Sequence, residues 1–293
     1  MTDPTRAGTH DDPPDDEALR TGRELLELAR QVATQAGHLL RARLPEVAGG
    51  RLLARGASAK SSPTDLVTDV DRSSESLIVG SLLQARPDDG IQGEEGSSRT
   101  GSSGVTWVID PLDGTINYLY GIEIFAVSIA ASYRGRSVAG VVHNPLAGEM
   151  FAASEGCGAE LNGNELRLVR TGRPLAEALV GTGFSYRAES RAAQAELLGG
   201  ILPEVRDIRR TGSAALDLCS VACGRLDAYF ESELKPWDRA AGELIVREAG
   251  GSVVSLDDLR GHPPTVVAAA PGLEAAMINM LKRAAAGSEP STG

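Results

Sequence analysis

The chain has 293 residues, of which 42% are hydrophobic and 24% are charged, so it can bury a sizeable core in one large domain or two small ones. Its net charge of −11 disfavours nucleic acid and anionic membranes as partners, and no apolar run is long enough to span a membrane. The three cysteines are scattered, which argues against a disulfide scaffold and is consistent with a reducing, cytoplasmic location.

Polar tails are predicted at both ends, over residues 1–16 and 287–293. Apolar side chains at helical spacing predict a long helix over 17–43 and a second over 70–85. Apolar runs at 105–109, 125–133, 138–143 and 150–153, separated by Gly and Pro turns, predict strands, whereas the Gly-rich stretch 96–104 indicates a flexible loop. Residues 17–172 therefore form a predicted α+β half with a mostly antiparallel sheet.

Short apolar runs and helical segments alternate in the second half of the chain. The runs lie near 178–180, 205–208, 228–230, 251–254 and 266–269, and the helices near 189–201, 213–223, 238–249 and 272–285. Such alternation is typical of an α/β arrangement. We expect residues 173–286 to form an α/β half that completes a site shared with the first half.

The segment around Asp110 has the residues of a metal site. An apolar strand ends in Asp110, Pro111 fixes the next φ angle, and Gly114 permits a tight turn. Asp110 and Asp113 can then face one point, together with the Leu112 carbonyl, which makes a hard-oxygen site suited to Mg²⁺. Taken alone, the segment could equally be a turn with an acidic rim.

Further carboxylates strengthen the metal interpretation, although each has a purely structural alternative. Glu94 and Glu95 stand between two glycines and repel each other unless a cation compensates them, but they could also sit in a solvated loop. Asp238 precedes a helix and could be its N-cap. Asp71 belongs to an acidic segment that could cap the second helix. In an acidic chain, recruited cations would let such a cluster accept a phosphate.

Five segments, in order, carry a resemblance to a known family. They are KSSPTDLVTDVD (60–71), GEEG (93–96), WVIDPLDGTIN (107–117), GSAALD (212–217), and WDRAAG continuing to EAGG (237–251). Over about 29–281 the chain resembles the inositol monophosphatases, within the group that includes fructose-1,6-bisphosphatases and 3′-phosphoadenosine-5′-phosphate phosphatases. The resemblance implies a layered α-β-α-β-α sandwich and Mg²⁺-dependent hydrolysis of a small polyol phosphate, foremost inositol monophosphate.

The resemblance also implies a set of metal ligands for two or three Mg²⁺ ions. The first ion would be held by Glu94, Asp110 and the Leu112 carbonyl. The second would be held by Asp110, Asp113 and Asp238, so that Asp110 bridges the two. Glu94 would help hold a weaker third ion through water. Inhibition by Li⁺ and by excess Mg²⁺ is implied in the same way.

Roles in catalysis and substrate binding follow from the same resemblance. Asp71 and Thr115 would activate the attacking water, and the amides of Gly114 and Thr115 would hold the phosphate. Lys60 would be a cation close to the site. Substrate hydroxyls would be contacted by Asp113, the Ala214 backbone and Glu231.

Two other functions remain open from the sequence. The same chemistry could act on histidinol phosphate, fructose-1,6-bisphosphate or 3′-phosphoadenosine-5′-phosphate; Glu231 favours inositol because a carboxylate accepts hydrogen bonds from vicinal hydroxyls. Glu233 and Lys235, in a stretch where several relatives have a glycine, leave the substrate open. A non-catalytic interaction protein is disfavoured because every expected ligand position holds a competent residue. The resemblance implies a homodimer.

Overall fold

The computed structural model describes residues 16–44, 57–59, 66–170, 172–257, 259 and 262–287. The predicted tails fall almost entirely outside this part of the chain, and Lys60 lies outside it as well. The helices are α1 (Asp16–Ala42), α2 (Asp69–Ala85), α3 (Thr115–Tyr120), α4 (Ala188–Ile201), α5 (Ala214–Ala222), α6 (Pro236–Glu248) and α7 (Glu274–Gly287).

Fifteen strands are present in the described residues. They are β1 (Ala57–Ala59), β2 (Leu66–Thr68), β3 (Gly90–Gly93), β4 (Ser98–Arg99), β5 (Val105–Asp113), β6 (Ala126–Tyr133), β7 (Arg136–Asn144), β8 (Glu149–Ser154), β9 (Ala159–Leu161), β10 (Asn164–Leu166), β11 (Leu179–Thr182), β12 (Asp207–Arg209), β13 (Ala228–Ser232), β14 (Ser252–Leu256) and β15 (Thr265–Ala269). Strands β1 and β2 form a separate antiparallel pair.

The first large sheet has eight strands in the order β10-β9-β8-β7-β6-β5-β3-β4. All neighbours are antiparallel except β3 and β5, which confirms the predicted antiparallel character. Successive side chains of a strand point to opposite faces. Trp107 and Ile109 accordingly pack with α1 and α2, while Val108 packs with α5 and α6 on the other face.

The second sheet has five strands in the order β12-β11-β13-β15-β14. Tyr229 and Ala268 pack toward α5 and α6, and Phe230 and Val267 pack toward α4 and α7. Helices α5 and α6 therefore lie between the two sheets. The layers run α, β, α, β, α, so the predicted layered sandwich is confirmed.

The structure corrects several details of the sequence prediction. Only two neighbouring pairs of the second sheet are parallel, and the two pairs that involve β15 are antiparallel, so the C-terminal sheet is mixed. The stretch 96–104 is not a plain loop, because Ser98 and Arg99 pair with β3, and Ser103 donates a 2.6 Å hydrogen bond to Asp89. The short strands β9 and β10 were not predicted. The boundary at 172/173 stays a prediction.

In the described part of the chain, no helix has the length and apolar character needed to cross a membrane.

The close contact between β7 and α6 yields a first prediction. A Cβ placed on buried Gly140 would lie 2.9 Å from the Cα of Ala241, one turn beyond Asp238. Gly140→Ala should therefore lower the free energy of unfolding by about 1–3 kcal/mol, as overpacking does. Gly80→Ala, on an exposed helix position with open space around it, should raise that energy by about 0.5–1 kcal/mol. Urea denaturation of both variants measures the difference, and equal effects would contradict the packing account.

Candidate active site

An irregular end of β5 places two aspartates at the same point. Asp110 pairs with Ser128 and Asp113 with Ala126, so β5 carries one residue more than β6 over this stretch. Such a bulge bends a strand and redirects its side chains. The Asp110 carboxylate also accepts a 3.0 Å hydrogen bond from the Leu112 amide, which fixes the turn. Asp110 and Asp113 therefore lie at one bulged strand end, where the charge of Asp113 raises the pKa of Asp110. Their joint binding of a metal ion stays a prediction.

Asp110 lies at the centre of a cluster of carboxylates. It is 2% exposed, and burial raises its pKa well above the usual range. The negative charges of Glu94, Asp113 and Asp238 raise that pKa further, and Glu94 shares a side-chain hydrogen bond with Asp110. Because each ionised neighbour disfavours the next, the ionised cluster is costly without a compensating cation.

Asp113 and Asp238 are held by donors from the layer of helices between the sheets. Asp113 accepts hydrogen bonds from the Ser213 hydroxyl at 2.6 Å and the Ala215 amide at 2.8 Å, at the start of α5. Burial raises the Asp113 pKa to about 6, against these hydrogen bonds. Asp238, in the first turn of α6, accepts a 2.6 Å hydrogen bond from the Lys235 amide, while burial raises its pKa. The predicted N-cap position was wrong, because Lys235 is the N-cap residue and Asp238 lies three residues further on, where its side chain accepts from the Lys235 amide. Asp238 is also a member of the cluster.

Glu94 is placed by the turn that follows β3. Its amide donates a 3.1 Å hydrogen bond to the Ile109 carbonyl, which joins it to β5. The buried side chain of Glu75 accepts hydrogen bonds from the amides of Glu95 and Ser97, at 2.7 and 3.0 Å. A side chain at Gly93 would collide with the Glu75 carboxylate. A buried glutamate of α2 thus shapes the turn that presents Glu94.

Asp71 and Thr115 meet although 44 positions separate them. The Thr115 hydroxyl lies 3.0 Å from a carboxylate oxygen of Asp71 and 3.1 Å from the Leu112 carbonyl, and both side chains are buried. The Ser74 hydroxyl donates to the Pro111 carbonyl at 3.0 Å, which ties α2 to the same turn. The two residues predicted to activate water are in hydrogen-bonding distance of each other.

A cavity of about 110 Å³ opens beside this cluster. Its walls include most of the predicted site residues: Glu94, Asp110, Leu112, Asp113, Gly114, Thr115, Ala214, Glu231 and Asp238. Asp71 stands behind Thr115 and does not line the cavity. Lys60 lies outside the described residues, so its predicted place near the site stays a prediction.

Glu231 forms the wall of the cavity contributed by β13. Its carboxylate accepts a 2.5 Å hydrogen bond from the Tyr229 hydroxyl. Burial raises the pKa of Glu231 to about 7, while the Tyr229 hydrogen bond and the charge of Arg210 lower it. A side chain at Gly183 would overlap the Glu231 carboxylate, so the Glu231 side chain would have to move to make room for it. Gly183 follows β11, and sites in α/β sheets often form beyond the carboxyl ends of strands.

The sequence analysis missed several residues that line the cavity. They are Gly183, Phe184, Tyr186, Arg210, Gly212 and Leu234. Gly212 opens one of the quoted segments, and its φ angle of 94° lies in the left-handed region that glycine favours. Arg210 is two residues before it, so its nearness to that segment was the available signal. The residues after β11 carried only the weaker signal of a strand end.

A larger cleft of about 760 Å³ lies elsewhere, between the hairpin of β6 and β7 and helix α6. Its charged side chains are largely matched: Arg136 pairs with Glu155, and Glu243 pairs with Arg239 at 2.7 Å and Arg247 at 3.0 Å. None of the predicted site residues lines it. The smaller acidic cavity, not the larger cleft, is therefore the candidate active site.

The donor set of the acidic cavity suits a hard divalent cation. Four carboxylates and a main-chain carbonyl offer oxygen atoms, and the raised pKa values of Asp110, Asp113 and Asp238 show that positive charge would relieve the site. In the side-chain conformations of the described residues, no three His, Cys, Asp or Glu groups are close enough to hold a metal ion. Asp113 and Asp238 hydrogen-bond instead to their own protein donors. The residues therefore fit a divalent cation by the chemistry of their oxygen atoms and by their common place in the cavity.

Comparisons with known proteins identify the family. The sequence profile of the inositol monophosphatase family matches residues 22–286. An inositol-1-monophosphatase of Mycobacterium leprae is 47% identical over 269 residues, which cover 87% of this chain and 92% of the relative. A protein of Xylella fastidiosa named Nus factor SuhB is 50% identical over 190 residues, covering 64% and 68% of the two chains.

Solved structures show the same fold. The extragenic suppressor protein SuhB of Bartonella henselae superposes with a TM-score of 0.79 and is 36% identical. The match covers 91% of this chain and all of that one. The chain therefore belongs to the inositol monophosphatase family and is a phosphoric monoester hydrolase.

Proposed function

We propose that the protein hydrolyses inositol monophosphate to inositol and phosphate with the help of Mg²⁺. The observation that carries this proposal is the single cavity that gathers Glu94, Asp110, Asp113 and Asp238 next to Glu231. The first four are suited to metal ions, and Glu231 is suited to the hydroxyls of a polyol. The name of the Mycobacterium leprae relative supports the same substrate.

Glu94, Asp110, Asp113, Asp238 and the Leu112 carbonyl would hold two to three Mg²⁺ ions. The Leu112 carbonyl has two lone pairs, so it can keep its contact with Thr115 and still coordinate a cation. When bound, Mg²⁺ would lower the pKa of water and neutralise charge on the phosphate. All other steps fall to side chains and amides of the chain itself.

Asp71 and Thr115 provide the path for the proton of the attacking water. The Thr115 hydroxyl accepts that proton while passing its own to the Asp71 carboxylate, 3.0 Å away. The water oxygen forms the new bond to phosphorus, and the bond from phosphorus to the polyol oxygen breaks. The leaving oxygen takes up a proton from solvent water and departs as a hydroxyl, and Asp71 then returns its proton to the solvent. No serine or cysteine nucleophile is needed, since phosphoryl transfer depends mainly on positioning and neutralised charge.

The remaining lining residues hold the substrate. The amides of Gly114 and Thr115 are the proposed donors to the phosphate, at the turn where Gly114 has a φ angle of 91°. Asp113, the Ala214 backbone and Glu231 are the proposed contacts for hydroxyls. Asp113 is already held by hydrogen bonds from the Ser213 hydroxyl and the Ala215 amide, at the start of α5.

Several further properties of the proposed enzyme rest on the family or, for its location, on the scattered cysteines. We propose inhibition by Li⁺ and by excess Mg²⁺, a homodimer in solution, and a cytoplasmic location. Histidinol phosphate, fructose-1,6-bisphosphate and 3′-phosphoadenosine-5′-phosphate are the alternative substrates. A purely non-catalytic role is disfavoured, because every side chain of the proposed ligand set retains an oxygen donor.

A substrate screen tests the proposal directly. The purified protein with Mg²⁺ should release phosphate from inositol 1-phosphate with a higher kcat/KM than from the three alternative substrates. A chelator should abolish the release, and added Mg²⁺ should restore it, because the carboxylates alone cannot compensate the charge of the phosphate. A faster reaction with an alternative substrate would replace inositol, and full activity in chelator would contradict the metal requirement.

Glu231 separates substrate selection from chemistry. Glu231→Gln keeps the shape of the side chain but weakens charge-assisted hydrogen bonds, each worth about 1.5–3 kcal/mol. The kcat/KM for inositol 1-phosphate should fall by about 10- to 100-fold, while hydrolysis of p-nitrophenyl phosphate, which lacks polyol hydroxyls, should change little.

Glu233 provides the matched control for that experiment. It does not line the acidic cavity but an adjoining one that also includes Glu231, and its carboxylate accepts a 2.6 Å hydrogen bond from Arg187. Glu233→Gln should leave the preference between the two substrates near that of the wild type. If Glu231→Gln slowed both substrates equally, Glu231 would belong with the metal ligands; if it slowed neither, selection would reside elsewhere.

A further inference from the structure

We propose that Arg210 is a substrate-binding residue. It donates hydrogen bonds to hydroxyl oxygens of the polyol, while Glu231 accepts hydrogen bonds from hydroxyls of the same polyol. This inference rests on the proposed function and adds a residue to it. Arg210 is the single basic residue among the described residues that line the cavity, where the acidic ones number five: Glu94, Asp110, Asp113, Glu231 and Asp238. A single guanidinium in this acidic lining can donate hydrogen bonds to the oxygen atoms of a substrate.

The guanidinium of Arg210 lies close to the backbone at Gly212. Its Nη1 atom is 2.7 Å from the position that a Cβ on Gly212 would take. The Gly212 carbonyl oxygen is in turn 3.3 Å from the corresponding position on Gly114. Arg210 therefore lies over the backbone next to the turn that is proposed to hold the phosphate. Glycine at position 212 leaves room for it there.

Arg210 and Glu231 line the same cavity, and the charge of Arg210 acts on Glu231. Its positive charge lowers the pKa of Glu231 and of Asp217, against the effect of burial. The charges that act most strongly on Asp110 and Asp238 are those of other carboxylates. Arg210 is therefore close enough to Glu231 for its charge to favour the ionised carboxylate.

Hydrogen-bond chemistry explains why Glu231 needs such a neighbour. An ionised carboxylate only accepts hydrogen bonds, whereas a polyol hydroxyl both donates and accepts. A guanidinium offers five N–H donors and no acceptor, so it complements the carboxylate. The described residues give Arg210 no hydrogen-bond or ion-pair partner, and the side chain is exposed, so its donors are available to a ligand.

The adjacent Arg209 is a matched control for Arg210. Its guanidinium pairs with the exposed Asp207 carboxylate at 2.6 Å and donates to the Ile208 carbonyl at 2.9 Å. It does not line the cavity. Substitution of either arginine removes one positive charge from the same stretch of chain. Only the substitution of Arg210 changes the lining of the cavity.

Steady-state kinetics with inositol 1-phosphate and p-nitrophenyl phosphate test the inference. Arg210→Gln should raise KM for inositol 1-phosphate by about 10- to 50-fold while kcat changes less than threefold, and it should leave p-nitrophenyl phosphate nearly unaffected. Arg210→Lys should recover part of the loss, since it restores charge without the planar fork. Arg209→Gln should match the wild type in both reactions, and equal melting temperatures would show that all variants fold.

A double substitution examines the pairing with Glu231. If both side chains hold the same hydroxyls, Arg210→Gln in the Glu231→Gln background should cost less than threefold more in kcat/KM. Equal kinetics for the Arg210 and Arg209 variants would overturn the inference, as would equal losses on both substrates. A wild-type protein that fails to hydrolyse inositol 1-phosphate would instead refute the proposed function, and the role of Arg210 with it.

Discussion

Repulsion among buried carboxylates is the constraint on which the site depends. Asp110 is almost fully buried, and Glu94, Asp113 and Asp238 all disfavour its ionised form. A protein gains no stability from such a cluster by itself, because an ionised carboxylate that is both desolvated and close to like charges destabilises the folded state. The rest of the fold must therefore hold these groups together, and a bound cation is the natural source of compensation.

The layered architecture supplies that rigidity. Asp110 and Asp113 come from the bulged end of β5, and Glu94 comes from the turn after the neighbouring β3. Asp238 comes from α6, which packs against the same sheet through the close contact at Gly140. The start of α5 holds Asp113 from the other side, and the second sheet brings Glu231 to the cavity. One site thus draws on both sheets and on the helices between them.

The sequence predicted the parts of the structure that have strong local signals. Helix α1 and strands β5 to β8 follow from apolar periodicity, and the Asp110–Asp113 turn follows from the positions of Pro111 and Gly114. Contacts between residues distant in sequence were harder to predict. The sequence gives no sign that Glu75, on a predicted helix, accepts the hydrogen bonds that shape the turn carrying Glu94. Arg210 was missed because a guanidinium enters a cavity through tertiary packing, which no local pattern encodes. The mixed C-terminal sheet was missed because alternating helices and strands do not fix the direction of β15.

The free energy of unfolding of Asp110→Asn, measured with and without Mg²⁺, tests the central claim most directly. Asparagine keeps the shape of the side chain but removes the charge on which three neighbours act. In chelator the variant should be more stable than the wild type, because the repulsion is relieved. Saturating Mg²⁺ should stabilise the wild type by about 2–3 kcal/mol, as a ligand at about 100 times its Kd does, and the variant by much less. A variant that is no more stable in chelator, and is stabilised by Mg²⁺ as strongly as the wild type, would contradict the claim that repulsion at Asp110 is what the cation relieves.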